Sequence, residues 1–277
     1  MISVDEYSRS ANYPCGYTPI EPYLNQNMGE VKDARAHSWP WMADICKKHQ
    51  DMDHCAGSYG AVIGNRWILT LSESLCPSKK NGKVPHMEYK MTKVFVGMNN
   101  RSEIYNSGVQ SFEIKNTFCS DYDGTPTLTL IQLNSSIEYS QFVQPICLAA
   151  TMKGIQVRES ALWSTGWNIE RTSDGLQQSK NAVDVDRDFP NLALYINGTD
   201  VYQRWILGSP LMFQGLDRRW YLHGVLNPYF EMPKGCKFHL IKHKSELYSY
   251  FSTLTYLIGS RGLAIIVNGS PKLPLAK

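Results

Sequence analysis

Seven cysteines and seven histidines are the residues of this chain best suited to metal, redox or acid–base chemistry. The cysteines, Cys15, Cys46, Cys55, Cys76, Cys119, Cys147 and Cys236, never occur as C-x-x-C, the spacing that a zinc site or a dithiol redox motif uses. Their expected use is disulfide bonding in an oxidising compartment. His239 and His243 stand four apart but precede the helical stretch described below, so no shared metal and no cofactor is expected. Lys234, Lys237, Lys242 and Lys244 gather around the same histidines. They form a candidate surface for an acidic protein or an anionic glycan. A solvated strand edge is the plainer reading of that stretch.

Four N-x-S/T sequons, at Asn100, Asn134, Asn197 and Asn268, are candidate glycosylation sites and agree with secretion. The opening M-I-S-V-D-E-Y-S-R has neither a basic n-region nor an apolar h-region. The expectation is a secreted or luminal protein whose signal peptide is not visible in this chain. A net charge of +3 on 277 residues is too small to argue for nucleic acid. No run of about 18 apolar residues exists, so no membrane span is expected. The expected partners are proteins.

Short strands must position these groups. Ala61–Ile63 and Trp67–Thr70 flank a Gly64-Asn65-Arg66 turn, a hairpin signal. Lys93–Val96 and Phe112–Lys115 alternate apolar and polar residues, as does Leu128–Leu133 after a Gly124-Thr125-Pro126 break. Leu192–Ile196 and Trp220–Val225 follow. With no helix between them, these strands argue for an all-β barrel or sandwich architecture. One helix is expected from Lys244, where Leu247, Tyr250, Phe251, Leu254 and Leu257 form an apolar stripe. Residues 1–27 read as an irregular leader and residues 259–277 as a loose tail around a 28–258 domain.

Five segments carry a resemblance: S-W-P-W (Ser38–Trp41), C-A-G-S (Cys55–Ser58), W-I-L-T (Trp67–Thr70), V-Q-P-I-C-L (Val143–Leu148) and S-T-G-W (Ser164–Trp167). In order and interval they are similar to the scaffold segments of the trypsin-like serine proteases. That resemblance implies two antiparallel six-stranded β-barrels followed by a C-terminal helix. It also locates three catalytic positions, and none holds its usual residue. G-D-S-G-G-P-L reads W-I-L-G-S-P-L, Trp205 to Leu211, which puts Leu207 at the nucleophile. L-T-A-A-H-C reads L-T-L-S-E-S-L-C, which puts Glu73 at the base when counted from Leu69 and Leu75 when counted back from Cys76. D-I-A-L-L-K-L reads T-L-T-L-I-Q-L, which puts Thr127 at the orienting carboxylate.

A triad needs nucleophile, base and orienter together, so the resemblance implies a protease homologue without catalysis that acts by binding protein. The runner-up readings are a decoy that sequesters protease inhibitors or activators, and a protease of altered mechanism using Ser209 with Glu73. Trp205 replaces the first glycine of the oxyanion turn, where a bulky side chain crowds the backbone. The activation segment I-V-G-G reads M-G-E-V, Met28 to Val31, and the aspartate that pairs with the new terminus is Ile206. The floor of the specificity pocket falls near Val201, beside Asp200. Trp205, Ile206 and Leu207 are expected to fill the former cleft. His54 matches a scaffold histidine. By the same resemblance Cys55 pairs with Cys76, and Cys15 pairs with Cys147 to tether the leader. Cys46 and Cys119 have no counterpart; pairing with each other would leave Cys236 as the odd thiol. W-Y-L-H-G-V-L-N, Trp220 to Asn227, resembles serine-protease-like proteins of the male reproductive tract.

Overall fold

A computed structural model of the chain describes residues 14–47, 56–71, 75, 92–122, 125–148, 162–167, 175–181, 183–185, 193–196, 208–232 and 235–240. They all fall in one compact unit spanning 13–243. Strands β2 (Met42–Lys47), β3 (Ala56–Gly64), β4 (Trp67–Thr70), β5 (Thr92–Val96), β6 (Gln110–Tyr122) and β7 (Thr125–Leu133) close into a barrel. Its order is β2-β3-β4-β7-β6-β5. Every residue of β4 is buried, so the strand is covered on both faces. β5 instead alternates, with Val94 and Val96 inside and Lys93 exposed.

The remaining strands form a second sheet: β1 (Val31–Asp33), β8 (Cys147–Leu148), β9 (Leu162–Trp167), β10 (Leu176–Asn181), β11 (Val183–Val185), β12 (Ala193–Ile196), β13 (Pro210–Gln214), β14 (Trp220–Met232) and β15 (Gly235–Leu240). Eight run in the order β1-β10-β9-β13-β14-β15-β12-β11, and β8 adds to β14 in parallel. The expected second six-stranded barrel is therefore, among the described residues, an open nine-stranded sheet. The expected C-terminal helix lies outside the described residues. A single 3₁₀ turn, Arg101–Tyr105, is described.

Two local expectations are corrected. Thr125 and Pro126 do not break the chain: they open β7, opposite Tyr122 and Asp121. A proline is tolerated there because it sits at the strand start, next to a register shift between Cys119 and Asp121. Nor is Lys237 on a strand edge. β15 is flanked by β14 on one side and β12 on the other, with Lys237 opposite Asn227 and Tyr195.

Tryptophans join the two sheets. Trp39 and Trp41 precede β2, whereas Trp163 lies on β9 and Trp220 on β14. All four are buried, and the Trp39 ring meets Trp220 edge-on at 4.7 Å and Trp163 at 6.2 Å. Such aromatic pairs contribute about 0.5–1.5 kcal/mol beyond their buried area. Two of the indole N–H groups are satisfied within the joint, Trp39 Nε1 donating to Gln178 Oε1 at 3.0 Å and Trp41 Nε1 to Met212 Sδ at 2.8 Å, whereas Trp220 Nε1 is buried without a hydrogen-bond partner.

Candidate functional site

The end of β4 and the start of β13 meet across this joint. Gly208, two residues before β13, has φ +85°, in the left-handed region. A Cβ built there would collide with the Tyr59 carbonyl oxygen and Thr70 Oγ1. Only a glycine lets the chain pass so close. Thr70 Oγ1 donates to that same Tyr59 carbonyl, and also to Leu71 O at 3.3 Å. Gly208 N donates to Leu226 O at 2.9 Å, and Leu226 N returns a bond to Ser209 O at 2.9 Å. Thr70 lies opposite Thr129 on β7, and Thr127 is two residues further along that strand.

The described parts of the three segments that the resemblance assigned to catalysis, at Thr70, Thr129 and Gly208, thus meet, and the described side chains there are apolar or covered. Leu75, one of the two candidates for the base position, is 2% exposed. Ser209 is 0% exposed. Thr127 belongs to β7. Glu73, Leu207, Trp205, Ile206, Asp200 and Val201 lie outside the described residues, as does His54. Of the described imidazoles, His223 is buried with its ring edge toward Phe213. His37 is half-buried, with its ring 4.4 Å from Phe142. Burial pulls its pKa below the ordinary value against the opposing charge of Glu103.

A second polar centre went unnoticed in the sequence. Asp44 on β2 is 1% exposed, and neither carboxylate oxygen has a hydrogen-bond partner. Arg101 Nε stands 4.0 Å from Asp44 Oδ2, and its guanidinium carbon lies 5.3 Å from the centre of the Tyr59 ring. Tyr59 OH donates to Trp167 O at 2.8 Å, and Trp167 Nε1 donates to Asn99 O at 2.8 Å. Burial raises the Asp44 pKa to about 6 despite the pull of Arg101, and burial raises Tyr59 as well. The one available signal was an aspartate inside the otherwise apolar M-A-D-I-C; its partner is remote in the chain.

The described part of the leader, residues 14–27, is docked. Cys15 and Cys147 are disulfide-bonded across a sequence separation of 132. Gly16 N donates to Pro145 O at 2.7 Å, and Trp220 N donates to Gly16 O at 2.9 Å. Buried Gln26 donates to Gln178 O at 3.2 Å, while Gln178 Nε2 donates to Tyr23 O at 2.6 Å. Met28, at the expected activation segment, bridges Lys180, and Gly29 N donates to Lys180 O at 2.7 Å. Val31 then enters β1 opposite Ser179. Cys46 is disulfide-bonded too. The side chains of Cys55, Cys76, Cys119 and Cys236 lie outside the described residues.

The family model for Trypsin matches residues 29–188, more than half of the chain. The chain belongs to the trypsin family. It is similar to coagulation factor XI of Bos taurus, 30% identical over 152 residues, which make up 53% of this chain and 22% of that protein. It is also similar to the suppressor of tumorigenicity 14 protein homolog of Bos taurus, 26% identical over 133 residues, 47% of this chain and 15% of that protein. The chain therefore matches less than two thirds of the length of either relative.

Membership in the trypsin family accounts for the closed barrel and for the S-W-P-W and S-T-G-W segments at the joint. Among the described residues no three His, Cys, Asp or Glu side chains gather as metal ligands, and no helix is long and apolar enough to cross a membrane. Of the sequons, Asn100 and Asn134 are described, and Asn197 and Asn268 are not. Of the basic stretch, Lys237 is placed on β15, whereas Lys234 and Lys242 lie outside the described residues. W-Y-L-H-G-V-L-N falls in β14, whose Trp220, Leu222 and Val225 are core residues.

Proposed function

We propose that this trypsin-family chain is non-catalytic and acts in a secretory or extracellular setting by binding other proteins. The reading rests on the sequence, in which the family resemblance assigns Glu73 or Leu75, Thr127 and Leu207 to the base, orienter and nucleophile positions. Losing one member leaves room for a variant mechanism, but nucleophile, base and orienter act as a unit. Burial of Leu75 and Ser209 supports the same reading. A serine with no accessible surface cannot reach a carbonyl carbon, which argues against the altered mechanism with Ser209 as nucleophile. The docked leader also agrees: with Ile206 in place of the pairing aspartate, cleavage at Met28 offers no charge contact to exchange for the bonds to Lys180.

The experiment is hydrolysis of peptide and ester substrate libraries by the purified full chain, before and after limited tryptic digestion. No turnover above the buffer rate is expected in either state. Turnover that depends on Ser209 would reject the proposal. Binding is then examined with the uncleaved chain as bait in native tissue, against a bait carrying charge reversals at Lys234, Lys237 and Lys242.

A further inference from the structure

The two described sequons differ in environment: Asn134 is exposed, whereas Asn100 is partly covered. Asn134 follows the last residue of β7 in an exposed turn with Ser135 and Ser136. The turn is clamped at both ends on the β3–β4 hairpin: Leu133 N donates to Arg66 O at 2.9 Å and Ile137 N to Asn65 O at 2.6 Å. Asn134 N donates to Glu113 O at 3.0 Å and its Oδ1 accepts from Ser135 Oγ at 3.3 Å. Among the described residues no hydrogen bond uses its Nδ2. The hydroxyl required by the sequon, on Ser136, is exposed and accepts from Arg66 Nε at 2.9 Å.

Asn100 is held at the joint of the two sheets. It forms a β-bridge with Gly175. Its N–H and that of Asn99 both donate to Glu103 Oε2, at 3.0 and 2.7 Å, closing the start of the 3₁₀ turn. Its Oδ1 accepts from Asn99 Nδ2 at 3.1 Å. Asn99 O in turn receives Trp167 Nε1 and Leu176 N, at 2.8 and 2.9 Å. The next residue, Arg101, turns inward to Asp44. A branched sugar on Asn100 would sit directly beside the place where these elements lock together.

We infer that Asn134 carries an N-linked glycan, that Asn100 does not, and that the joint therefore stays bare. The inference rests on the secretory setting proposed above. In the transfer, Asn134 Nδ2 bonds to the anomeric carbon of a lipid-linked oligosaccharide donor. The bond from that carbon to the diphosphate oxygen breaks, the lipid diphosphate leaves with the electron pair, and one amide proton is lost. No oxidant or reductant takes part. The site follows the end of β7 opposite to the one that carries Thr127. Thr129 pairs with Thr70 beside Gly208, and the strand advances roughly 13 Å from there to Leu133. A bulky, solubilising glycan would thus shield the end of the barrel remote from the joint and leave the former catalytic face available to a protein partner.

The test is expression of the full chain behind a cleavable secretory leader in cells that transfer oligosaccharide. Enzymatic deglycosylation in heavy-oxygen water then marks each occupied asparagine for peptide mapping. Asn134 is expected to be marked and Asn100 unmarked. Asn134→Gln and Ser136→Ala should each remove one glycan's mass from the secreted protein, whereas Ser102→Ala should remove none. Unmarked Asn134 in the secreted wild type, or a marked Asn100, overturns the inference. Hydrolysis by the same preparation would instead reject the non-catalytic reading and leave the glycan assignment standing.

Discussion

Asp44 and Tyr59 face each other across β2 and β3, and Arg101 is held against both. The Tyr59 carbonyl, on the same residue, is what Gly208 and Thr70 approach from the catalytic side. One barrel residue therefore connects a buried ion pair to the turn that would carry the nucleophile. Four outcomes follow from the contacts around it and around the leader.

Stability should fall as pH rises through the acid range because of Asp44. Its folded pKa is about 6, above the ordinary carboxylate value of 3.8. The folded state therefore binds more protons between those values, and the stabilisation is complete at the low end and lost at the high end. The effect is on the order of 2–3 kcal/mol. Arg101 and Tyr59 face the carboxylate directly; Glu103 and His37 lie on the neighbouring turns. His37, lowered by burial, acts in the opposite direction below its ordinary value. The difference between wild type and Asp44→Asn in urea titrations isolates the aspartate. Parallel stability–pH curves for the two proteins would show that Asp44 does not titrate in this range.

Removing the partner should cost most where Asp44 is charged. Arg101→Met leaves a buried carboxylate uncompensated, which costs about 3–5 kcal/mol for an ionised group. The loss should be larger above about pH 7 than near pH 4, where the acid is protonated. A pH-independent loss would assign Arg101 a packing role over the Tyr59 ring instead.

Gly208→Ala should destabilise the protein by at least about 2 kcal/mol, through positive-φ strain and the clash with Tyr59 O. Chemical unfolding measures this directly. A change within about 0.5 kcal/mol, the range of ordinary surface substitutions, would mean that the two sheets do not meet at Gly208.

The leader should stay attached after a cut introduced beyond Asn27 and leave only on reduction. Cys15→Ser should lower stability by up to about 5 kcal/mol in the chain-entropy model, given a separation of 132. Non-reducing peptide mapping should recover the Cys15 and Cys147 peptides joined. Recovering them as separate free thiols would reject the tether.

Local patterns were the most legible part of the fold. Trp67–Thr70 is the same strand in sequence and structure, and the alternation at Lys93–Val96 falls within β5, because β-period and turn chemistry are local signals. What depends on distant partners was not legible. Pro126 looked like a break, yet the opposite strand accommodates it at a register shift. Lys237 looked like an edge residue because nothing local announces that β12 returns beside β15. Gln26, in a segment read as irregular, is buried against Gln178. Asp44 found its charge partner only through folding. At the candidate site, the strand pattern placed Thr127 on a strand, and it lies in β7. The side chains of Glu73 and Leu207 lie outside the described residues.

Covalent labelling with a fluorophosphonate probe tests the central claim most directly, because the probe reports an activated serine without requiring a known substrate. The full chain, incubated before and after tryptic digestion beside active trypsin as a positive control, is expected to take no label. Label on the wild type that disappears in Ser209→Ala would contradict the account.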